Sequence, residues 1–376
     1  MGGFLKSFGV SCVLLGLAGL PAAAASYDVV YSFTAGNDGG FVAPGLASDG
    51  DGNFYGVAGK GENNAGVIYR FTRAGVQTPL HAFGEEEGYA ASGDLLFSDG
   101  KIYGTNRLGA SDCNCGAVFQ MSTSGKLKVL YRFKGGVRGG FPIGKLARDA
   151  DGTLYGVAGA GSSDIGVVFR LKANGDYKVL HSFAGGADGS YPSGVVLAPD
   201  GTLYGSTSQG GASGHGEIFK ISASGKFSVI YNFDRTHGES PSGDLIMDKD
   251  GAIYGVTSGG GGNLAGTVFR LSKKRKLTVL FSFAGTAGRN PVAGVAMDAA
   301  GTIYGTTSGG GLPSCDCGVV YKLSPGGAQK VLHAFEGAPD GWDPVSPPAI
   351  DKNGDLFGTT YYGGDRDAGA IYKIAR

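Results

Sequence analysis

The chain has 376 residues, 73 of them glycine, and its 32 lysines and arginines balance its 32 aspartates and glutamates. This balance gives no overall attraction to nucleic acid or to an anionic membrane, so we expect neither as a partner. Beyond the N-terminal segment no apolar window approaches the ~18 residues of a transmembrane helix, so we expect no membrane span.

The N-terminal segment predicts a signal peptide over residues 1–25, followed by a single domain over residues 26–376. Lys6 precedes a short apolar run, and small residues then lead to a predicted cleavage site after Ala25. We therefore expect an exported monomer that is extracellular, attached to the cell surface or periplasmic.

Three short patterns recur seven times along the rest of the chain, at spacings of 48 to 53 residues. The first is an aromatic dyad whose second member is Phe33, Phe83, Phe133, Phe183, Phe233, Phe283 and Phe335. The second is an aromatic-glycine triplet centred on Tyr55, Tyr103, Tyr155, Tyr204, Tyr254, Tyr304 and Phe357. The third is Gly-x-[Val/Ile]-aromatic, ending at Tyr69, Phe119, Phe169, Phe219, Phe269, Tyr321 and Tyr372.

A fixed period of this length indicates a repeat architecture. In the repeat 183–233 we predict four strands, called a to d, at 194–199, 202–207, 216–222 and 227–233. The a–b and c–d links are tight turns, and Asp200-Gly201 is typical of a hairpin. Four antiparallel strands in each of seven repeats predict an all-β, seven-bladed β-propeller. Its b–c and d–a links are long and emerge on one face, where binding residues tend to collect.

The two ends of the chain divide one repeat between them. Residues 27–33 form a strand d with no preceding triplet, and residues 345–374 carry strands a to c without a closing dyad. We therefore predict that the N-terminal strand completes the last blade and closes the ring, which removes the open ends that a linear array would have to cap. A β-solenoid is the rival fold, but it needs terminal caps that we do not find in this sequence.

The phrase LYG-x-T-x-x-G-G, followed by G-x-V-F and V-L-x-x-F, closely resembles the GloVer tandem-repeat family of bacterial exported proteins. The match extends over 27–376 and is clearest at Leu203–Phe233, Ile253–Phe283 and Ile303–Phe335. The resemblance implies a secreted or surface-located repeat protein, with no established activity and no catalytic residues to transfer. Some members end in a C-terminal anchoring segment, which we do not expect here because the sequence stops at Arg376.

Four cysteines follow the predicted signal peptide, as the pairs Cys113 with Cys115 and Cys315 with Cys317. Both pairs end a b–c link, in blades 2 and 6, which lie well apart around the ring. A disulfide needs Cα atoms within about 7 Å, so we predict one local bridge in each pair in an oxidising compartment. Redox activity and zinc binding with a neighbouring aspartate are the alternatives. We expect no metal and no cofactor.

Most histidines and aspartate-rich turns have structural interpretations. His81, His181 and His333 occupy a dyad position where other blades have tyrosine or phenylalanine, so we expect them to pack. Turns such as Asp149-Ala150-Asp151-Gly152 lack the length and the final glutamate of a calcium loop, so we interpret them as hairpins. His215 and His237 lie in long links and remain open.

The d–a links differ most between blades, and they supply the candidate ligand-binding residues. These are Phe41, Tyr89, Phe141, Tyr191 and Trp342, with the acids Asp188 and Asp340. The rings either cover the blade tops or form a surface for a sugar or a peptide. We predict an exported binding or interaction module. The alternative is a hydrolase or lyase acting on an extracellular polysaccharide through acids such as Asp188, Asp340 or Glu239, which would have to meet within about 10 Å.

Overall fold

The structure is a computed structural model that describes residues 26–61, 64–91, 94–160 and 165–375. The predicted signal peptide lies outside these residues. The described chain forms seven antiparallel sheets, and clusters of buried side chains join neighbouring sheets into a ring. The fold is therefore a seven-bladed β-propeller, as predicted. No helix among the described residues is long and apolar enough to span a membrane.

Blades are numbered in chain order, and each runs from its inner to its outer strand. Blade 1 contains β2 (Gly40–Val42), β3 (Ala47–Ser48), β4 (Asn53–Lys60), β5 (Val67–Thr72) and β6 (Gln77–Ala82). Blade 2 contains β7 (Tyr89–Ala91), β8 (Leu96–Ser98), β9 (Lys101–Leu108), β10 (Ala117–Ser122) and β11 (Leu127–Arg132). Blade 3 contains β12 (Gly140–Arg148), β13 (Leu154–Ala160), β14 (Val167–Leu171) and β15 (Tyr177–Ser182).

The remaining blades follow the same order. Blade 4 contains β16 (Ser190–Leu197), β17 (Leu203–Gln209), β18 (Glu217–Ile221) and β19 (Phe227–Asn232). Blade 5 contains β20 (Glu239–Met247), β21 (Ile253–Gly259), β22 (Thr267–Leu271) and β23 (Leu277–Ser282). Blade 6 contains β24 (Ala296–Met297), β25 (Ile303–Thr307), β26 (Val319–Leu323) and β27 (Gln329–Ala334). Blade 7 contains β28 (Trp342–Pro344), β29 (Ala349–Ile350), β30 (Leu356–Tyr362), β31 (Ala370–Ile374) and β1 (Tyr27–Ser32).

Blade 7 is closed by the N-terminal strand, which confirms the predicted split repeat. β1 pairs antiparallel with β31, with Tyr27 opposite Ile374 and Ser32 opposite Ala370. Short 3-10 helices, each of one turn, lie in four of the d–a links, at Glu85–Glu87, Gly136–Arg138, Gly186–Asp188 and Gly285–Ala287. We call the face that carries the b–c and d–a links the long-link face, and the opposite face the tight-turn face.

The three recurrent patterns form one contact that repeats at every blade junction. The glycine of the triplet leaves room for the ring of the third pattern, because a Cβ on Gly156 would lie 2.7 Å from Phe169 Cζ. That ring also meets the dyad phenylalanine of the preceding blade, as Phe169 meets Phe133 at 5.3 Å between centroids. Across the seven junctions this distance is 5.0 to 5.5 Å. The aromatic core therefore lies between the blades.

The inner strands differ from the prediction in where they begin. In blade 4 the inner strand begins at Ser190, whereas the sequence predicted residue 194. Its second residue, Tyr191, has a φ of 56° and donates its N–H to the carbonyl of Ile165 in blade 3, 2.7 Å away. The same bond between blades is made by the N–H groups of Phe41, Phe141, Ser240, Asn290 and Asp343. A left-handed residue interrupts the alternation typical of a strand, so this segment was wrongly predicted as part of the link.

Candidate functional site

The five aromatic candidates lie on inner strands of five sheets, at the long-link end. Phe41, Phe141 and Tyr191 occupy the left-handed position, with φ between 53° and 56°. Tyr89 and Trp342 precede that position, as the first residues of β7 and β28. Five of the seven blades thus hold an aromatic side chain at or just before the left-handed position of the inner strand.

Phe41 of blade 1 and Trp342 of blade 7 lie close together because these two blades are neighbours in the closed propeller. The ring of Trp342 stacks on Tyr362, with centroids 4.1 Å apart and planes 12° apart. Tyr362 contacts Tyr361 at 4.7 Å, and Phe41 lies 5.6 Å from Tyr361 and 5.9 Å from Tyr362. We call these four half-buried rings, Phe41, Trp342, Tyr361 and Tyr362, the aromatic platform. Sequence reasoning identified two of its members and missed the two tyrosines.

Polar groups hold and surround the aromatic platform. Trp342 Nε1 donates to Asp367 Oδ1 at 3.1 Å, and the same oxygen accepts the N–H of Gly363 at 2.8 Å. Lys60 Nζ lies 4.6 Å from the centroid of Phe41. Burial raises the pKa of Asp343, which directly follows the tryptophan in sequence. The platform therefore has a lysine ammonium over the face of Phe41 and a carboxylate that holds the indole of Trp342.

The other three aromatic candidates each lie apart from the platform. Tyr191 is 46% exposed, and Phe141 is half-buried. Tyr89 donates its hydroxyl to Asn114 Oδ1 at 3.1 Å and lines a groove of about 770 Å³ beside Cys113. Within the described ranges no ring–ring contact joins any of the three to another aromatic residue. The structure therefore does not combine the five rings into one surface.

Asp188 and Asp340 contact histidines of outer strands at the rim. Asp188 lies 3.1 Å from His181 Nε2 and accepts the N–H of Ala184 at 2.8 Å. Asp340 lies 2.9 Å from His333 Nε2 and accepts the N–H of Glu336 at 2.9 Å. The equivalent contacts are Tyr31 with Asp38 and His81 with Glu87. In these four blades the acid follows the first residue of the dyad by six or seven positions and lies at the start of the d–a link. Sequence reasoning overlooked this spacing.

The dyad histidines also pack, as predicted. His181 stacks on Phe227 at 3.7 Å, and His333 stacks on Tyr27 at 3.4 Å. Burial lowers the pKa of His181, and the neighbouring Asp188 opposes that shift. These rings belong to the blade junctions.

The histidines that remained open pair with acids on the long-link face. His215 Nδ1 lies 3.4 Å from Glu239, which also contacts Arg235 at 3.1 Å. His237 Nδ1 lies 2.8 Å from Asp234. In the described part of the chain no three His, Cys, Asp or Glu side chains group as metal ligands would.

The two cysteine pairs occupy equivalent places in blades 2 and 6. The sulfur atoms of Cys113 and Cys115 are in bonding contact, as are those of Cys315 and Cys317, with Cα atoms 5.2 and 5.1 Å apart. Each pair lies against a d–a link glycine of the next blade, and a Cβ on Gly135 would come 3.0 Å from Cys115 Sγ. The geometry suits a local bridge, while the oxidation state stays a prediction.

The repeat pattern also identifies the family. A family model described as the Gloeobacter/Verrucomicrobia repeat matches residues 19–198, 139–314 and 266–376, which together extend from residue 19 to the last residue. The chain belongs to this repeat family. No curated protein matches its sequence.

Solved structures of other proteins share this fold at low sequence identity. Virginiamycin B lyase from Staphylococcus aureus superposes with a TM-score of 0.65 at 15% identity, over 94% of this chain and 99% of the lyase. A streptogramin B lyase gives 0.64 at 13% identity, over 93% and 97% of the two chains. At such identities the likeness shows the fold alone.

Proposed function

We propose that this member of the repeat family is a carbohydrate-binding module and that the aromatic platform is its binding surface. The observation that carries the proposal is the contact of four half-buried rings on the long-link face, at the junction of blades 7 and 1. The apolar face of a sugar stacks on such rings, and the ring positions are fixed before the ligand arrives. Export from the cell fits this function and is part of the proposal.

The groups around the platform favour a sugar over a peptide. Asp343, Asp365 and Arg366 lie close in sequence to its rings and supply acceptors and donors for hydroxyl groups. A peptide ligand would gain most from a deep apolar pocket or an open strand edge. Within blade 7 the N-terminal strand β1 covers the edge of β31 that would otherwise be open.

The alternative, a hydrolase or lyase of extracellular polysaccharide, draws less support from this face. Asp188 and Asp340 each contact a histidine at the outer rim, and Glu239 contacts Arg235 and His215. Acids engaged in this way on separate blades do not form the pair of facing carboxylates that glycoside hydrolysis uses. A binding surface needs no such pair.

The proposal is tested by measuring glycan and peptide binding to wild type, Trp342→Ala and Tyr191→Ala. We expect wild type to bind at least one glycan and Trp342→Ala to lose about 30-fold in affinity, equivalent to about 2 kcal/mol. Tyr191→Ala is the matched control, since it removes an exposed ring on the same face outside the platform. It should bind as wild type does.

A third variant separates binding from stability. Trp342 stacks on Tyr362, so its removal should also lower the free energy of unfolding by about 1 kcal/mol. Trp342→Phe keeps a ring and should restore most of the binding and of the stability. A Trp342→Ala protein that binds glycans as wild type does would place the site elsewhere. Binding of peptides alone would replace the carbohydrate proposal.

A further inference from the structure

The inner strands approach one another most closely at a set of glycines around the axis. Five blades each place one glycine there, at Gly45, Gly144, Gly194, Gly243 and Gly294, in an inner strand or just before it. Four of them have φ between 64° and 85°, and a Cβ on Gly144 would lie 2.5 Å from Ser193 O. A Cβ on Gly294 would lie 2.6 Å from Asp244 O. We call this constriction the glycine collar.

A cavity of about 450 Å³ lies on one side of the glycine collar. In the blades with a collar glycine, every lining residue except Ala293 follows that glycine in sequence, so the cavity lies between the collar and the tight-turn face. Its lining is mixed: it includes the apolar residues Leu46, Val196, Ile246, Ala296 and Pro347, and also Arg148, whose guanidinium pairs with Asp99. We call it the axial pocket. Its volume falls in the usual range of small-ligand sites.

Three charged side chains lie at the collar end of the axial pocket. They are Asp94, Lys145 and Asp244, each placed at or just after the collar position of its own blade. Asp244 Oδ1 accepts the backbone N–H of Lys145 at 3.2 Å and lies against the Cα of Gly194. In the described ranges no ion pair joins Lys145 Nζ to either carboxylate. The Lys145 ammonium and the two carboxyl groups therefore line one space without a direct ion pair between them.

Burial at the axis affects both acids. It raises the pKa of Asp94, and it raises the pKa of Asp244 to about 7, an effect to which the negative charge of Asp94 adds. Both carboxyl groups line the pocket and are only partly exposed, so less water surrounds them than at an open surface. A ligand cation would replace that missing solvation.

We propose that the axial pocket binds an α-amino acid with an apolar side chain. The ammonium group of the ligand meets Asp94 and Asp244, its carboxylate meets the ammonium of Lys145, and its side chain lies against Leu46, Val196 and Ile246. A zwitterion matches separated charges of both signs, whereas a simple cation or anion satisfies only one of them. This site is on the opposite side of the collar from the aromatic platform and is independent of carbohydrate binding.

The test is calorimetric titration of wild type with L-leucine and two analogues that each lack one charge. We expect saturable binding of one L-leucine per chain. Isoamylamine, which lacks the carboxylate, and 4-methylpentanoate, which lacks the amine, should each bind at least tenfold more weakly. This comparison uses only the wild-type protein, so it does not depend on whether a variant folds.

Two variants then assign the charges. Lys145→Met should weaken L-leucine at least tenfold and leave isoamylamine unchanged, while Asp244→Asn should weaken both. Lys249→Met is the matched control, because Lys249 is an exposed turn residue outside the pocket, with its side chain 89% exposed. Any one of three results would overturn the proposal. Wild type shows no saturable binding of L-leucine, it binds isoamylamine as tightly as L-leucine, or both pocket variants bind L-leucine as wild type does.

Discussion

The junction of blades 7 and 1, beside the blade in which the two ends of the chain meet, has the same repeated contacts as the junction of blades 4 and 5. Phe33 meets Tyr69 at 5.2 Å in the first, and Phe233 meets Phe269 at 5.3 Å in the second. The N–H of Phe41 donates to Ala368 O at 2.7 Å. In the internal junction the N–H of Ser240 donates to His215 O at 3.0 Å. The repeat thus closes the ring with the contacts that it uses everywhere else.

The two junctions differ in side chains that the repeat does not prescribe. On the long-link face the first has the aromatic platform, and the second has the ion pairs of Glu239. On the tight-turn face Arg73 of blade 1 reaches Asp351 and Asp355 of blade 7, at 2.9 Å each. In the described part of the chain no ion pair joins the tight turns of blades 4 and 5. The shared contacts build the ring, and departures from the repeat show where a junction is reinforced or has another role.

Removal of residues 26–34 should have the largest effect. It deletes β1 together with Phe33, and it exposes the edge of β31. We expect aggregation or the loss of a single cooperative unfolding transition, measured by calorimetry and light scattering. A chain that begins at Ser26 is the control and should unfold cooperatively. An unchanged transition in the shorter chain would contradict a closed ring.

Arg73→Met should weaken the closing junction without removing any strand. It leaves the nearly buried carboxylates of Asp351 and Asp355 with fewer partners, although Lys373 still lies 2.9 Å from Asp355. Because Arg73 is 37% exposed, solvent reduces the loss, and we expect about 2 to 3 kcal/mol in chemical denaturation. Lys249→Met removes an exposed pair and should change stability by less than about 0.5 kcal/mol. Equal effects of the two variants would show that the ion pairs do not reinforce closure.

Glu217→Thr should make blade 4 resemble blade 5 and stabilise it at alkaline pH. Glu217 is fully buried, and burial, followed by the charge of Asp188, raises its pKa to about 7. The equivalent Thr267 pairs with Thr257 at 2.9 Å. Because the folded pKa exceeds the unfolded one, Glu217 stabilises the fold less as pH rises from about 4.5 to above 7.

At pH 8 we expect Glu217→Thr to raise the free energy of unfolding by about 1 to 2 kcal/mol. A fully desolvated acid would give a larger increase, but Glu217 lies just beneath a surface link. At pH 4.5 wild type and variant should have closely similar stability. Denaturation at both pH values measures the difference. The same pH slope in the two proteins would show that Glu217 keeps an ordinary pKa.

The cysteine pairs should have the smallest effect. Blades 2 and 6 flank blades 1 and 7 around the ring, and each has one Cys-x-Cys pair. We predict two local bridges in protein from an oxidising compartment, detected by mass mapping. Their reduction should cost about 1 kcal/mol per bridge, since each closes a very short loop. Four free thiols, or stoichiometric zinc, would show that the pairs have another role.

The sequence predicted the number of blades and the closing strand pair because those features repeat. It misplaced the start of the inner strands, because a left-handed residue such as Tyr191 lies near a proline and looks like part of a link. Side-chain direction toward the axis was not predictable, so Asp94 and Asp244 were not recognised.

The aromatic platform was only half predictable. Trp342 and Phe41 are far apart in sequence, and only closure of the ring brings them together. A usable signal did exist for the missed tyrosines. Tyr361 and Tyr362 stand where blade 5 has Ser258 and Gly259, a departure from the repeat that sequence reasoning did not weigh.

The most direct test uses the fluorescence of Trp342, which is the only tryptophan of the chain. Titration with a glycan that binds should shift or quench this emission, and the change should saturate at the concentration found by calorimetry. Titration with L-leucine should leave the emission unchanged, because the axial pocket lies beyond the glycine collar. Calorimetric glycan binding without any change in emission would contradict the assignment of the aromatic platform as the binding surface.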